Sequence, residues 1–397
     1  MYSQSFSPRN LYCCTTQSER RNSGMSKEEL VHCIEAYIGD CIDKGTFQFK
    51  VKKLGDLYLN GWPRKSVERF CQDLVLRKLH DNIKRIYGVK QANRHQIVKQ
   101  MISLLKENSP KWVIRLDVRH FYESINHHRL IERFQEDGRL NFQSIMLLKN
   151  LFSCPAMAEA IGLLRGMSVS SVMSEIYMKY FDIAIRRLNG VYCYARFVDD
   201  IIIFCDKESS QKRVWSEIPV ELSKSGLEMN PTKSYMWNNQ QRTESLNYLG
   251  YAFFPKEKKQ ELRITIDRKK VNAIKSRITK TFVRFAKDGD FEMLKNRIKF
   301  LTGNFTLYNP STLLPIKVGI YFNYNFITEK NELLELDRYF QSLLHCKTGK
   351  LGAKLKVRMT NLHRKELAKY SFVFGFENHV NHHFSTPQLV MIKNCWL

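Results

Sequence analysis

The sequence lacks the patterns that mark several common classes of protein. No two of its ten cysteines form a CxxC pair, which argues against a zinc ribbon. No apolar run approaches the ~20 residues of a membrane-spanning helix, and no lipidation signal or amphipathic anchor is present. The first residues, MYSQSFSPRNLYCC, lack the apolar core of a signal peptide. These absences predict a cytoplasmic protein with reduced thiols and no membrane partner.

Acidic residues are scarce relative to basic ones. The chain has 64 Lys and Arg against 39 Asp and Glu, a net charge of +25. The excess is clustered, with 13 basic and 4 acidic residues in 46–100, 12 and 5 in 261–300, and 8 and 1 in 341–370. Clustered positive charge favours a polyanionic partner, and nucleic acid is the first candidate.

Two of the few acids stand side by side in an apolar segment, YARFVDDIIIF at 194–204. Asp199 and Asp200 repel each other, and their apolar flanks argue against a solvated charge run. The β-prone runs VYCYARF and IIIFC predict a hairpin with the two acids at its turn. The alternative interpretation is an ordinary turn in which one Asp caps the backbone.

A third acid, Asp117, ends the predicted strand KWVIRLDV at 111–118. A neighbouring strand could bring it to the same sheet edge as the hairpin turn. Phosphoryl transfer to a 3′-hydroxyl uses two divalent cations ~3.5–4 Å apart, and Mg²⁺ prefers carboxylate oxygens. The three acids together therefore indicate a metal-dependent transferase more strongly than a set of structural caps.

The remaining pattern is mainly helical. Residues 1–25 are polar and irregular, and we expect an arm that orders only on a partner. Ser26 and Glu29 form a capping box at the start of a helix. Further helices are predicted over 64–107, 169–187 and 211–225, a strand over 248–254, and helices from about 265 to the end.

Five segments in order resemble the palm motifs of reverse transcriptases. The segments are LDVRHFYESI at 116–125 (motif A), RGMSVSSVMSEIYM at 165–178 (motif B), FVDD at 197–200 (motif C), LEMNPTKS at 227–234 (motif D) and LNYLGYAF at 246–253 (motif E). The chain departs from the common pattern at Phe197, where the YxDD box has Tyr, and at Leu164 and Arg165. The motif forms most resemble bacterial abortive-infection and defence-associated enzymes, with retron enzymes as the nearest alternative.

The resemblance implies a set of metal-binding residues. Asp117, Asp199 and Asp200 would coordinate two Mg²⁺ ions, for which Mn²⁺ is a substitute, and the carbonyl of Val118 would also reach a metal. Lys233 would neutralise or protonate the leaving pyrophosphate. Its alternative is a solvated surface lysine.

The resemblance also implies nucleotide and primer contacts. Tyr122 would be the steric gate against ribonucleotides, and the alternative is core packing. Arg165, Gly166 and Phe197 would lie at the nucleotide, with Gly166 allowing close backbone approach. The remaining candidates are Lys90 and Arg94 for the triphosphate or template phosphates, and Tyr248, Leu249 and Gly250 as a primer grip or a buried strand.

The implied fold class is α/β (α+β), a right-hand polymerase with fingers, an RRM-like palm sheet, a helical thumb and a helical C-terminal extension. The predicted boundaries are 1–45 for an N-terminal arm and helix, 46–110 for the fingers, 111–255 for the palm, 256–303 for the thumb and 304–397 for a helical basic C-terminal region.

The implied activity is RNA-directed DNA synthesis in anti-phage defence. The expected partners are a dedicated non-coding RNA as template, the DNA product and dNTP, with a second reverse transcriptase or effector protein and a homo-oligomer as further candidates. Two other functions stay open at this point: template-independent or protein-primed DNA synthesis, and a non-enzymatic nucleic-acid scaffold. The presence of all three acids argues against the scaffold.

Overall fold

The computed structural model describes residues 2–159, 162–240, 244–255, 261–308 and 315–396. The chain divides into two compact units. The first extends to Met101 and continues from Ser109 to Asn238, and the second comprises Ile102–Asn108 and the chain from Asn239 onwards. Among the described residues, no helix is both long enough and apolar enough to cross a membrane.

The elements up to residue 238 alternate between helices and strands. In chain order they are α1 Pro8–Tyr12, α2 Gln17–Ser23, α3 Lys27–Ile38, β1 Val51–Leu54, β2 Leu57–Asn60, α4 Val67–Ile86, α5 Arg94–Lys106, β3 Trp112–Asp117, α6 Phe121–Ser124, α7 His127–Asp137, α8 Phe142–Ser153, α9 Pro155–Ala158, α10 Ser168–Arg186, β4 Val191–Phe197, β5 Asp200–Cys205, α11 Glu208–Lys224 and β6 Tyr235–Asn238.

A four-stranded antiparallel sheet of order β4-β5-β3-β6 forms the centre of the first unit. Its two inner strands, β3 and β5, carry apolar runs because both of their faces are covered, and Leu116, Ile201 and Ile203 are fully buried. Helices α10 and α11 pack against this sheet. The predicted hairpin, the predicted strand over 111–118 and the predicted helices that become α10 and α11 are thereby confirmed.

The prediction of an N-terminal arm that orders only on a partner is wrong. Residues 2–23 are ordered by the chain itself, with Leu11 fully buried. The Tyr2 hydroxyl donates to Asn82 at 2.8 Å, and Arg77 pairs with Glu19 at 2.7 Å. These anchors lie on α4, far along the chain, so local polarity could not reveal them.

The second unit contains further helices and two small sheets. Its elements after residue 238 are β7 Leu246–Tyr248, β8 Tyr251–Phe253, β9 Ile264–Ile266, α12 Arg268–Asp288, α13 Phe291–Thr302, β10 Asn304–Tyr308, β11 Pro315–Gly319, α14 Ile320–Tyr324, α15 Asn331–Leu344, α16 Gly349–Arg358, α17 Asn361–Leu367, α18 Phe372–Glu377, β12 Asn381–His382 and α19 Thr386–Lys393.

The structure differs from two predictions for this unit. The predicted continuous strand over 248–254 is wrong, because Leu249 and Gly250 form a tight turn between β7 and β8 with φ of +47° and +83°. The C-terminal region is mainly helical, as expected, and it also holds an unanticipated sheet of order β11-β10-β12. The predicted thumb begins at 256, and residues 256–260 lie outside the described ranges.

Candidate active site

The turn between β4 and β5 carries the adjacent aspartates in a strained backbone. Val198 has a φ of +62°, which is an outlier for a β-branched residue. Arg196 steadies the turn, since its Nη1 donates to the Val198 carbonyl oxygen at 3.0 Å. The strain fixes where Asp199 and Asp200 project.

Arg196 is itself held by α10. Its guanidinium lies 2.7 Å from Glu175 Oε2 and 2.8 Å from Asp182 Oδ2, and its side chain is only 6% exposed. The Tyr194 hydroxyl donates to Asp182 at 2.6 Å. Burial alone would lower the pKa of Arg196, but the bonds to Asp182 and the charge of Glu175 outweigh it and raise that pKa. This network joins the motif B helix to the aspartate turn.

Asp117 lies at the end of β3, directly opposite Asp200 of β5 in the sheet register. Its Oδ1 accepts from Asn230 Nδ2 at 2.9 Å, and Lys233 Nζ lies 3.3 Å from each carboxylate oxygen. Its backbone N–H donates to the Ser234 hydroxyl at 3.0 Å. Asn230 and Ser234 were missed as site residues, although both fall inside the quoted segment LEMNPTKS.

Asp200 is turned towards a basic residue in β3. Arg115 Nη2 donates to Asp200 Oδ1 at 3.1 Å, and both side chains are mostly buried. Burial alone would lower the pKa of Arg115, but the negative charge of Asp200 outweighs burial, so the pKa of Arg115 is raised. This cation in a strand therefore balances one of the acids in the turn.

Asp199 is the one of the three aspartates whose negative charge is balanced least by neighbouring cations and hydrogen-bond donors. Burial raises the pKa of its carboxyl above the usual value, and the negative charges of Asp200 and Asp117 raise it further. Its carbonyl oxygen accepts from the backbone N–H of Val118 at 3.4 Å. Val118, predicted to offer a carbonyl to a metal, is buried beside the two acids.

A cavity of about 430 Å³ opens over these groups. The structure brings the predicted residues Asp117, Val118, Arg165, Asp199 and Lys233 together around it, and Arg119 also lines it. Carboxylates and cations thus face the same space, as a site for a metal-bound triphosphate requires.

The motif B segment is tied to the hairpin of β1 and β2. The Arg165 N–H donates to the Asp56 carbonyl and the Arg165 carbonyl accepts from the Tyr58 N–H, both at 2.8 Å. The Arg165 side chain pairs with Glu123 at 3.1 Å. Gly166 has a φ of +82°, and no described atom lies within 4 Å of where a side chain would begin, so the backbone is open to a ligand.

The other residues predicted to contact the nucleotide lie in several different elements. Tyr122 lies in α6, half-buried, with the Arg165 guanidinium carbon 5.7 Å from its ring centroid. Phe197 is half-buried opposite Asp200. Lys90 lies in the loop before α5 and Arg94 begins that helix, and neither belongs to the residues that line the cavity.

The predicted primer-grip residues belong to the second unit. Tyr248 ends β7 and is almost fully buried, and Leu249 and Gly250 form the turn to β8. The open alternatives for these residues were a grip and a buried strand. The local structure is a buried hairpin, in which Leu249 of the turn is also buried and the Gly250 carbonyl accepts from the Asp267 N–H at 3.0 Å.

No three His, Cys, Asp or Glu side chains in the described ranges are grouped as a ready metal site. The contacts explain this: Arg115 holds Asp200, and Asn230 and Lys233 hold Asp117. The donor set nevertheless suits Mg²⁺, because carboxylate oxygens are its preferred protein ligands. A cation would also relieve the repulsion that raises the pKa of Asp199.

A sheet edge that carries aspartates beside a cation-lined cavity suits nucleotidyl transfer. Residues 65–253 match the family model described as reverse transcriptase (RNA-dependent DNA polymerase). The match identifies a reverse transcriptase domain in this part of the chain. A search of curated proteins found none that matches the chain.

Solved telomerase structures are among those that align with this chain. The apo telomerase from Candida tropicalis is 14% identical, with a TM-score of 0.41 over 88% of this chain and 66% of that chain. A Candida albicans telomerase in complex with a TWJ fragment of telomeric RNA is 12% identical, with a TM-score of 0.39 over 88% and 63%. A C-terminally truncated apo telomerase from Candida tropicalis is 16% identical, with a TM-score of 0.38 over 55% and 54%. The chain thus spans less than two thirds of the length of each of these structures.

Proposed function

We propose that this polymerase copies an associated non-coding RNA into DNA as part of bacterial defence against phage. The observation that carries the catalytic part is the pairing of Asp117 and Asp200 across adjacent strands, with Asp199 in the turn beside them. The motif forms support the defence role, and the clustered basic charge supports the RNA partner.

The catalytic carboxylates would work with two Mg²⁺ ions, which would activate the primer 3′-hydroxyl and neutralise charge on the triphosphate. Asp117 and Asp199 face the cavity and would be the first ligands. Asp200 would join them by giving up part of its contact with Arg115. The carbonyl of Val118 lies at the same strand end.

Lys233 would act on the leaving group. Its ammonium lies 3.3 Å from Asp117 and is half-exposed to the cavity, so it can turn from the carboxylate to a phosphate oxygen. Arg165 and the open backbone at Gly166 would contact the nucleotide, with Phe197 supporting the turn beneath it. Lys90 and Arg94 would bind template phosphates or the triphosphate, and Tyr248, Leu249 and Gly250 would hold the primer.

Tyr122 would exclude ribonucleotides by placing its ring where a 2′-hydroxyl would lie. Tyr122→Ala should reduce the preference for dNTP over NTP by about 10-fold or more. The check is kcat/KM for one dNTP and the matching NTP on the same primed template, with Tyr122→Phe as the control that keeps the ring. An unchanged ratio would return Tyr122 to a packing role.

The template proposal is tested with the protein purified together with its bound nucleic acid. Mg²⁺ and labelled dNTPs should yield DNA whose sequence is complementary to the co-purifying RNA, and prior RNase treatment should abolish it. Product that survives RNase but not Asp199→Asn would instead establish template-independent or protein-primed synthesis.

The defence proposal needs a separate measurement in cells. A bacterial host that expresses the chain with its RNA should plate a sensitive phage at lower efficiency than a host that expresses Asp199→Asn. Equal plating across a broad phage panel would contradict the defence role while leaving the polymerase activity in place. Adding a second reverse transcriptase, an effector protein or a second copy of the chain then becomes a testable refinement.

A further inference from the structure

The second unit contains a cleft that the catalytic account does not use. It lies between the end of α15, the helix α16 and the helix α17, with a volume of about 790 Å³. We call it the C-terminal basic cleft and define it by residues His345, Lys347, Lys356, Asn361, Arg364 and Lys365, which line it. Four of these six side chains carry a permanent positive charge.

The charge of this cleft is not balanced within the protein. Lys347, Lys356 and Lys365 form no ion pair with any residue of the described ranges. Glu366 is the one acid among residues 341–370 of the sequence. It pairs with Lys295 of α13 at 3.1 Å and so does not neutralise the cleft.

Arg364 gives the cleft a fixed frame. Its Nε donates to the carbonyl of Leu344 at 3.2 Å and its Nη1 to the carbonyl of Met359 at 2.6 Å. These carbonyls belong to the C-terminal ends of α15 and α16, which otherwise lack intrahelical partners. One arginine therefore holds two helix ends together, while the three lysines stay available to an external anion.

We propose that the C-terminal basic cleft binds the phosphate backbone of a folded RNA, at a site separate from the catalytic carboxylates. Several lysines converge on one concave space, and lysine binds phosphate as a point charge without reading sequence. Residues 65–253 match the model of an RNA-dependent DNA polymerase, so RNA is the polyanion that the proposed function supplies. The site retains the RNA on the protein and takes no part in nucleotide transfer.

The proposal rests on the RNA partner of the proposed function, but its test does not depend on DNA synthesis. The full chain, freed of nucleic acid, is titrated with a fluorescent RNA hairpin at several salt concentrations. Lys347→Glu/Lys356→Glu/Lys365→Glu should weaken binding about 10-fold or more and reduce the slope of log affinity against log salt by about 2–3, since each lost phosphate contact removes roughly one unit.

A matched control carries the same charge change elsewhere. Lys27, Lys179 and Lys207 are exposed on the first unit, and the structure places none of them in the catalytic cavity. Their triple Glu variant should keep the wild-type salt slope. Both triple variants should extend a saturating primed template at the wild-type rate.

Three results would overturn the proposal. The first is a cleft variant that binds RNA like the control variant. The second is a cleft variant that keeps wild-type RNA binding but no longer binds phosphatidylcholine–phosphatidylserine vesicles, which would assign the cleft to a lipid surface. A lipid surface is the competing ligand because Val357 and Leu362 are 86% and 77% exposed. The third concerns the triple Lys→Gln variant of the cleft, which replaces the Glu variant if the Glu variant melts at a lower temperature than the control. RNA binding by this variant as tight as that of the wild type would overturn the proposal.

Discussion

The candidate active site and the C-terminal basic cleft use cations in opposite ways. In the candidate active site Arg115, Arg196 and Lys233 each contact a carboxylate of the same unit. In the cleft, the lysines face solvent with no acidic partner among the described residues. The paired cations of the candidate active site hold acids in place, whereas the lysines of the cleft are available to a polyanion.

The largest difference between the two regions is expected when a paired, buried cation is removed. Arg196→Gln leaves the mostly buried Glu175 and Asp182 without their partner, and we expect a loss of about 3–5 kcal/mol in the free energy of unfolding. Lys365→Gln, its counterpart in the cleft, should change that free energy by less than ~0.5 kcal/mol. Denaturant unfolding of both variants measures the two values. Similar losses for the two would erase the distinction.

A smaller effect is expected at the pair between Arg115 and Asp200. Arg115→Gln removes a positive charge beside the carboxylates and frees Asp200 Oδ1. We expect Mn²⁺ to bind about 3–10-fold more tightly in calorimetry, because a repelling charge is gone. The control is Arg187→Gln, which removes an exposed charge at the end of α10. Weaker Mn²⁺ binding would mean that Arg115 mainly pre-positions Asp200.

The smallest effect concerns Asp199 in the absence of divalent cations. Its folded-state pKa is raised, so its protonated form favours folding and its ionised form opposes folding as the pH rises through that pKa. Asp199→Asn removes this penalty, so the variant should melt at a higher temperature than the wild type at neutral pH in EDTA. The difference should shrink as the pH falls towards ~4. An equal or lower melting temperature at pH 7 would contradict the electrostatic account.

The hairpin that carries Asp199 and Asp200 could be predicted from the sequence because its signals are local. Two β-prone runs surround FVDD, and the structure has β4 and β5 there. The approach of Asp117 to Asp200 was also within reach, since both acids end or begin apolar strands. The roles of Asn230 and Ser234 were not, because they depend on how their loop crosses the end of β3.

Long-range contacts explain the other differences between sequence and structure. The N-terminal segment is ordered by contacts such as Arg77 with Glu19, 58 residues apart, which no local pattern contains. The parallel pairing of β10 with β12 joins segments more than 70 residues apart. The cleft is similar, since its charge was visible in the composition of 341–370 but its concave shape needs the helix ends that Arg364 joins.

Single-nucleotide incorporation on a defined primed RNA template tests the central claim most directly. The wild-type protein with Mg²⁺ should add the complementary dNTP, and Asp199→Asn should lower the rate by on the order of 10³-fold or more while it still binds the primed template. Incorporation by Asp199→Asn at the wild-type rate would contradict the account, because the carboxylate turn would then not be the catalytic centre.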